Sequence, residues 1–209
     1  MFSTLLRITN YLFPSQPAIE KIKNETKESF SRFYSLNAKK NFIYLSNYEE
    51  TIVSDSIKAN KFHNYKPASF LLASLVENWL KTREETEFIF IPIPLGEKRF
   101  KERGFNQVTR VLEGVVSDKN ITIKPLLKRM KETAPQTKLH RSFRLDNIKN
   151  AFSVDLLLLN KNHQEFNPDG LFIIFDDVVT TGATLKEAYE TLRKEIPEKQ
   201  KVLCLSLAH

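Results

Sequence analysis

Three apolar runs in the second half of the chain constrain its architecture most. They are "FIFIPIP" (Phe88–Pro94), "LFIIF" (Leu171–Phe175) and "KVLCLSLAH" (Lys201–His209). Continuous apolar runs of this length, closed by prolines or charges, suit strands buried on both faces of a parallel sheet. Helical patterns alternate with them. "FNQVTRVLEGVV" is one, and "TLKEAYETLRKE" places Leu185, Ala188 and Leu192 on one stripe. Strand–helix alternation predicts an α/β domain with a mostly parallel sheet flanked by helices.

Upstream, "NFIYLSNY" is a short strand candidate and "EETIVSDSIKANKF" a helix with Ile52, Val53, Ile57 and Ala59 partly inward. A further helix spans Tyr65 to Leu80, with Phe70, Leu71, Ala73, Ser74, Leu75 and Trp79 on its apolar face. Residues 1–40 read as a helical N-terminal appendage and residues 41–209 as the α/β domain. The opening "MFSTLLRITNYLF" is an amphipathic helix in this reading, because Arg7 and Asn10 interrupt it and no small-residue cleavage site follows. Its apolar face favours a homodimer or a partner.

The 209 residues, 41% of them hydrophobic, are enough for one full-sized core. Every apolar run is broken within a few residues, so no membrane insertion is expected. Cys204 is the single cysteine, and His63, His140, His163 and His209 are scattered without ligand spacing. A metal site built from protein ligands alone, zinc included, is therefore not expected, and the cytoplasm is the expected compartment. The net charge of +7 fits a nucleic-acid surface, a lysine-rich exterior or a site for a small polyanion. Composition does not choose among them.

The stretch "IIFDDVVTTGAT" (Ile173–Thr184) carries the chemistry. Ligands of open α/β sheets sit beyond the carboxyl ends of strands, and Asp176 and Asp177 stand where an apolar run ends. The loop after them is small, hydroxylated and centred on Gly182, so its N–H groups and the following helix start can gather round one anion. A phosphate suits the loop; the carboxylates, too near it to bind phosphate, suit neutral hydroxyls or a magnesium-bound group. Together they describe a ribose 5-phosphate. No GxxxxGK[ST] loop exists for a Walker-type site. Too little chain follows Asp177 for a receiver domain, whose acidic pair lies on an early strand.

This stretch resembles the phosphoribosyl-pyrophosphate (PRPP) signature of type I phosphoribosyltransferases. Three further stretches are similar to the ComF-type, competence-associated branch: "IPIPLGEKRFKERGFNQ" (Ile91–Gln107), "KETAPQTKLHRSFRLDNIKNAF" (Lys131–Phe152) and "IKANKFHNY" (Ile57–Tyr65), the last with Phe62 in place of a tyrosine. The similarity spans residues 43–208. It departs at the N-terminus: that family commonly carries a four-cysteine zinc element, and residues 1–40 hold no cysteine.

The resemblance implies a Mg²⁺-dependent displacement of pyrophosphate from C1 of PRPP by an unidentified acceptor. It places the ribose hydroxyls on Asp176 and Asp177, and the 5-phosphate on Val179, Thr180, Thr181, Gly182, Ala183 and Thr184. Pyrophosphate falls to Lys61 and Phe62. Arg99, Lys101 and Arg103, in a mobile loop, would stabilise the departing charge. Asn106, Gln107, Gln136 and Arg144 are candidates for an acceptor hood. A second reading keeps the site without turnover: a PRPP- or nucleotide-sensing component, or a single-stranded-DNA-binding one that meets competence proteins in DNA uptake. Against DNA, most aromatics fall in apolar runs, so no stacking platform is visible. A salvage or biosynthetic enzyme acting on a free base is a third reading.

Overall fold

The computed structural model describes residues 16–39, 42–131, 149–162 and 170–209. In chain order come helix α1 (Gln16–Lys23), the single turn α2 (Lys27–Phe30) continued by a 3₁₀ turn at Ser31–Phe33, and strands β1 (Asn37–Lys39) and β2 (Phe42–Tyr44). Helices α3 (Thr51–His63) and α4 (Lys66–Lys81) follow, then β3 (Glu87–Pro92), α5 (Glu97–Arg103), α6 (Gln107–Glu113) and β4 (Asn120–Ile123). The remainder is β5 (Leu127–Arg129), β6 (Phe152–Val154), α7 (Leu156–Asn162), β7 (Leu171–Val178), α8 (Ala183–Arg193) and β8 (Val202–Ala208).

Six strands form one sheet in the order β1-β2-β8-β7-β3-β4, and β5 pairs with β6 apart from it. All pairs of the large sheet are parallel except β1 with β2. The mostly parallel α/β sheet flanked by helices is therefore as expected. Strand alternation sends Phe88, Phe90, Ile173 and Phe175 to one face, under α3, α4 and α6. Ile89, Ile91, Phe172 and Ile174 go to the other, under α8 and the β5–β6 hairpin. Each fully buried Phe or Ile contributes roughly 1.5–3 kcal/mol of transfer free energy, and a one-residue slip of a central strand would exchange its two packed rows and disrupt both cores.

Three details differ from the sequence reading. Strand β7 runs through both aspartates to Val178 instead of ending at Phe175. The segment expected as a loop after β3 is the helix α5: Glu97 and Lys101 pair one turn apart, and Gly104, at φ 76°, stops the helix in the left-handed conformation that glycine tolerates. Phe70, expected on the apolar face of α4, is half exposed, and the Lys27 ammonium lies 4.0 Å above its ring.

The helical segment 16–33 joins the main core, with Ile22 and Phe30 buried. Thr26 and Ser29 form a reciprocal capping box at the start of α2. Lys27 pairs with Glu77 and donates to Gly114 O at 2.9 Å, while Glu77 also accepts from Val116 N at 2.8 Å. That ion pair ties the segment to α4. The first-helix reading of residues 1–13 lies outside the described residues, as do His140, His163 and most of the cationic stretch after β5.

Candidate functional site

The carboxyl ends of β3, β7 and β8 share one edge of the sheet, and the candidate residues collect there. Pairing continues to Asp176 opposite Ser206 and Val178 opposite Ala208. Alternation then separates the two aspartates: Asp177 lies on the α3–α6 face and Asp176 on the opposite one.

Asp177 is buried and heavily engaged. Its Oδ2 lies 3.1 Å from Lys61 Nζ and accepts from Gln107 Nε2 at 3.2 Å, while Oδ1 accepts from Val178 N at 2.8 Å. Burial opposes its charge, but the Lys61 cation and these hydrogen bonds hold it below the ordinary carboxylate range. Asp176 is partly exposed, and its Oδ1 accepts from Asp177 N at 2.9 Å. Desolvation, then the neighbouring Asp177 charge, push its carboxyl up to about 7, with Lys61 acting in the other direction. Two adjacent carboxylates thus take different protonation states near neutrality.

The loop after β7 is tethered by Val179 N, which donates to Ala208 O at 3.0 Å. Val179 is buried and commits its N–H there, so it anchors the loop. Gly182 takes φ 76°, and a Cβ there would make only ordinary contact with Val179 Cγ1 at 4.0 Å, so backbone conformation is what calls for glycine. Ala183 N donates to Thr181 Oγ1 at 3.4 Å as α8 begins. Thr180 is exposed, while Thr181 and Thr184 are partly so. The hydroxyls therefore gather at the positive end of α8, just beyond the acid pair.

Lys61 closes the other side. It stands in the last turn of α3, which Asn64 ends at φ 52°. The Arg103 guanidinium lies 5.3 Å from the Phe62 ring and donates from Nη1 to Gln107 Oε1 at 2.8 Å. Burial lowers the Arg103 pKa and Asp177 offsets this, while the Arg99 charge acts with burial, which places Arg99 close by. Lys101 pairs with Glu97 in solvent and does not join the cluster.

Two hood candidates have other work. Asn106 caps α6 through Val108 N at 2.9 Å and donates to Ile93 O at 2.9 Å. Gln107 bridges Asp177 and Arg103. Gln136 and Arg144 lie outside the described residues. Sequence reasoning passed over Asn60, buried beside Lys61, which donates to Gln107 O at 3.0 Å; a polar residue on the inward face of an otherwise apolar helical pattern is the signal that marks it.

Sequence reasoning also missed a cleft of about 350 Å³ lined by Asn37, Ala38, Tyr44, Ser46, Asn47 and His209. The Tyr44 and His209 rings lie 4.7 Å apart. The cleft is not centred on the acid pair, where Lys61 and Gln107 crowd the Asp177 carboxylate. Asp176, Ser206 and Tyr44 nevertheless share one row across the sheet, so it opens about 10 Å away on the same edge, two strand spacings along.

Among the described residues no three His, Cys, Asp or Glu side chains gather as a metal site. No described helix is long and apolar enough to cross a membrane. Cys204 is buried, its thiol pushed up to about 12 by desolvation, as befits a core residue.

No family model matches the chain. It is similar to Competence protein F of Haemophilus influenzae, 39% identical over 105 residues that cover 50% of this chain and 43% of that protein. Competence protein ComFC of Streptococcus pneumoniae is 30% identical over 136 residues, 64% of this chain and 56% of the relative. The DNA utilization protein YhgH of Escherichia coli is 30% identical over 122 residues, 55% and 47% respectively. The chain thus spans about half the length of the curated relatives it matches. With the expected parallel sheet in place, the chain is similar to the competence and DNA utilization proteins at 30–39% identity over about half of their length.

Proposed function

We propose that this edge of the sheet binds PRPP with Mg²⁺ and transfers its phosphoribosyl group to an acceptor. The observation that carries the reading is Asp177, ionised and held by Lys61 and Gln107 directly before a glycine-centred loop and a helix start. An ionised carboxylate accepts from a diol, and the loop and helix start favour a 5-phosphate. Asp176, kept near neutrality by burial and by Asp177, can donate to a ribose oxygen as well as accept. Lys61, Arg103 and Arg99 supply the cations that a pyrophosphate on C1 would need.

In the reaction the C1–O bond to pyrophosphate breaks, and its electron pair leaves with that group. The acceptor's lone pair forms the new bond to C1 and the acceptor loses a proton. The guanidinium fork of Arg103 suits the departing oxygens, because a guanidinium carries five N–H donors and the bond to Gln107 uses one of them. Mg²⁺ takes few protein ligands and completes its shell with substrate phosphates and water, so PRPP would supply most of its oxygens. When bound the ion would neutralise leaving-group charge. The cleft at Tyr44 and His209 is the acceptor position this reading favours, since it opens on the same edge.

A second reading rests on Phe62 and Phe100. Both are exposed, at 40% and 51%, in a region rich in Lys and Arg. Exposed aromatics among cations suit stacked bases and a phosphate backbone, contrary to the expectation from the apolar runs. The relatives' names, competence and DNA utilization proteins, support a DNA-uptake context for either reading.

Thermal unfolding tests the first reading. Mg²⁺ with PRPP at 100 times its dissociation constant should stabilise the chain by about 2.7 kcal/mol, and pyrophosphate alone by less. No shift at millimolar PRPP would remove it.

A further inference from the structure

We infer that Gln107 is a positioning residue that relays the state of Asp177 to the cations of α5, through Arg103. The chain of contacts is continuous: Asp177 Oδ2 to Gln107 Nε2 at 3.2 Å, and Gln107 Oε1 to Arg103 Nη1 at 2.8 Å. Chemistry dictates the orientation of the amide. An ionised carboxylate only accepts and a guanidinium only donates, so the group between them must donate at one end and accept at the other. Glutamine does both. A glutamate would repel Asp177, and a lysine would have nothing to offer Arg103.

Burial makes the link stiff. Gln107 is 4% exposed, its carbonyl accepts from buried Asn60, and its helix is capped by the preceding Asn106. Lys61, the other side chain on Asp177, is 29% exposed, against 4% for Gln107. When an anion reaches the site, Lys61 can leave for it while Gln107 stays.

The far end of the relay is lightly held. Helix α5 has seven residues, none buried, between Gly96 and the left-handed Gly104. Arg103 joins it to the buried Gln107. A change in the charge or company of Asp177 therefore alters the hold on Arg103, and with it the placement of α5. Occupancy of the ribose subsite would thus be felt by the groups meant for the leaving group before that group makes contact.

The ligand half of this inference rests on the ribose-phosphate reading above, so the test has two arms, both on the full chain. Hydrogen exchange of the α5 amides is followed in wild type, Asp177→Ala, Gln107→Leu and the double variant. Loss of one net hydrogen bond corresponds to about a fivefold change, so Asp177→Ala should speed α5 exchange about fivefold. In the Gln107→Leu background the same change should have an effect below about twofold, the non-additivity of coupled residues. Equal acceleration in both backgrounds would mean that Gln107 merely packs, and the inference would be overturned.

In the second arm ribose 5-phosphate, which has no pyrophosphate to touch α5, is added while calorimetry records binding. It should slow α5 exchange in wild type and leave Gln107→Leu unchanged; binding with equal slowing in both would overturn the relay. Non-additivity without any binding would instead keep the relay and remove the ribose-phosphate reading. Should Gln107→Leu not fold, Gln107→Met serves, since its near-isosteric thioether cannot donate to Asp177. Its α5 exchange should then be insensitive to Asp177→Ala.

Discussion

The Lys61 ammonium stands 3.1 Å from the Asp177 carboxylate, joining a helix end to the central strand at the edge where ligands enter. The pair anchors two pieces of the site that are remote in sequence, and it sets the charge state of the buried acid. Its partly exposed lysine keeps the direct stabilisation modest.

Replacing that lysine should make Asp177 behave as a buried, underpaired acid. The folded-state pKa of Asp177 is depressed, so its contribution to stability is present above the unfolded value and lost as pH falls through the folded one. Lys61→Met should therefore cost about 1 kcal/mol at pH 7 and less near pH 3, as the pH falls toward the depressed value. Urea unfolding at the two pH values measures the difference.

Asp176 should show the opposite sign. Its folded-state pKa is raised to about 7 from an ordinary 3.8, so the fold favours the protonated form and loses stability as pH rises from about 4 to 7. Asp176→Asn should raise the melting temperature relative to wild type at pH 8, and the gain should vanish near pH 4. Melting curves across that range follow it.

Gly182→Ala should cost about 1 kcal/mol, because φ 76° opposes an L side chain although nothing blocks the space. Gly182→Asn should cost less, since asparagine tolerates that region better. Phosphate-bearing ligands should bind more weakly to the alanine variant, which titration with ribose 5-phosphate reads.

Phe62→Ala and Phe100→Ala test the DNA reading. Base stacking contributes about 1–3 kcal/mol per base, so each variant should bind single-stranded DNA at least about fivefold more weakly. The dependence on salt should stay unchanged, because no cation is removed. Fluorescence anisotropy across a salt series reports both quantities, and unchanged affinities would remove these rings from the interface.

Much of the fold was legible because its central strands are buried on both faces, which leaves continuous apolar runs in one dimension. The Asp-Asp and Thr-Thr-Gly stretch was legible because a strand end, a loop and a helix start are consecutive in the chain. Gln107 was named as a hood candidate, but its contact with Asp177 was not legible, since it exists only once β3 and β7 lie side by side. Helix α5 was missed because it buries nothing and so carries no apolar period. The cleft at Tyr44 and His209 depends on β2 pairing with β8, a parallel contact that no local pattern announces.

The most direct test is calorimetric titration with PRPP and Mg²⁺ of wild type and of the Asp176→Asn/Asp177→Asn double variant. The account predicts saturable binding by wild type that the double variant loses. A folded wild type that takes up no PRPP, or a double variant that binds it as well as wild type does, would contradict it.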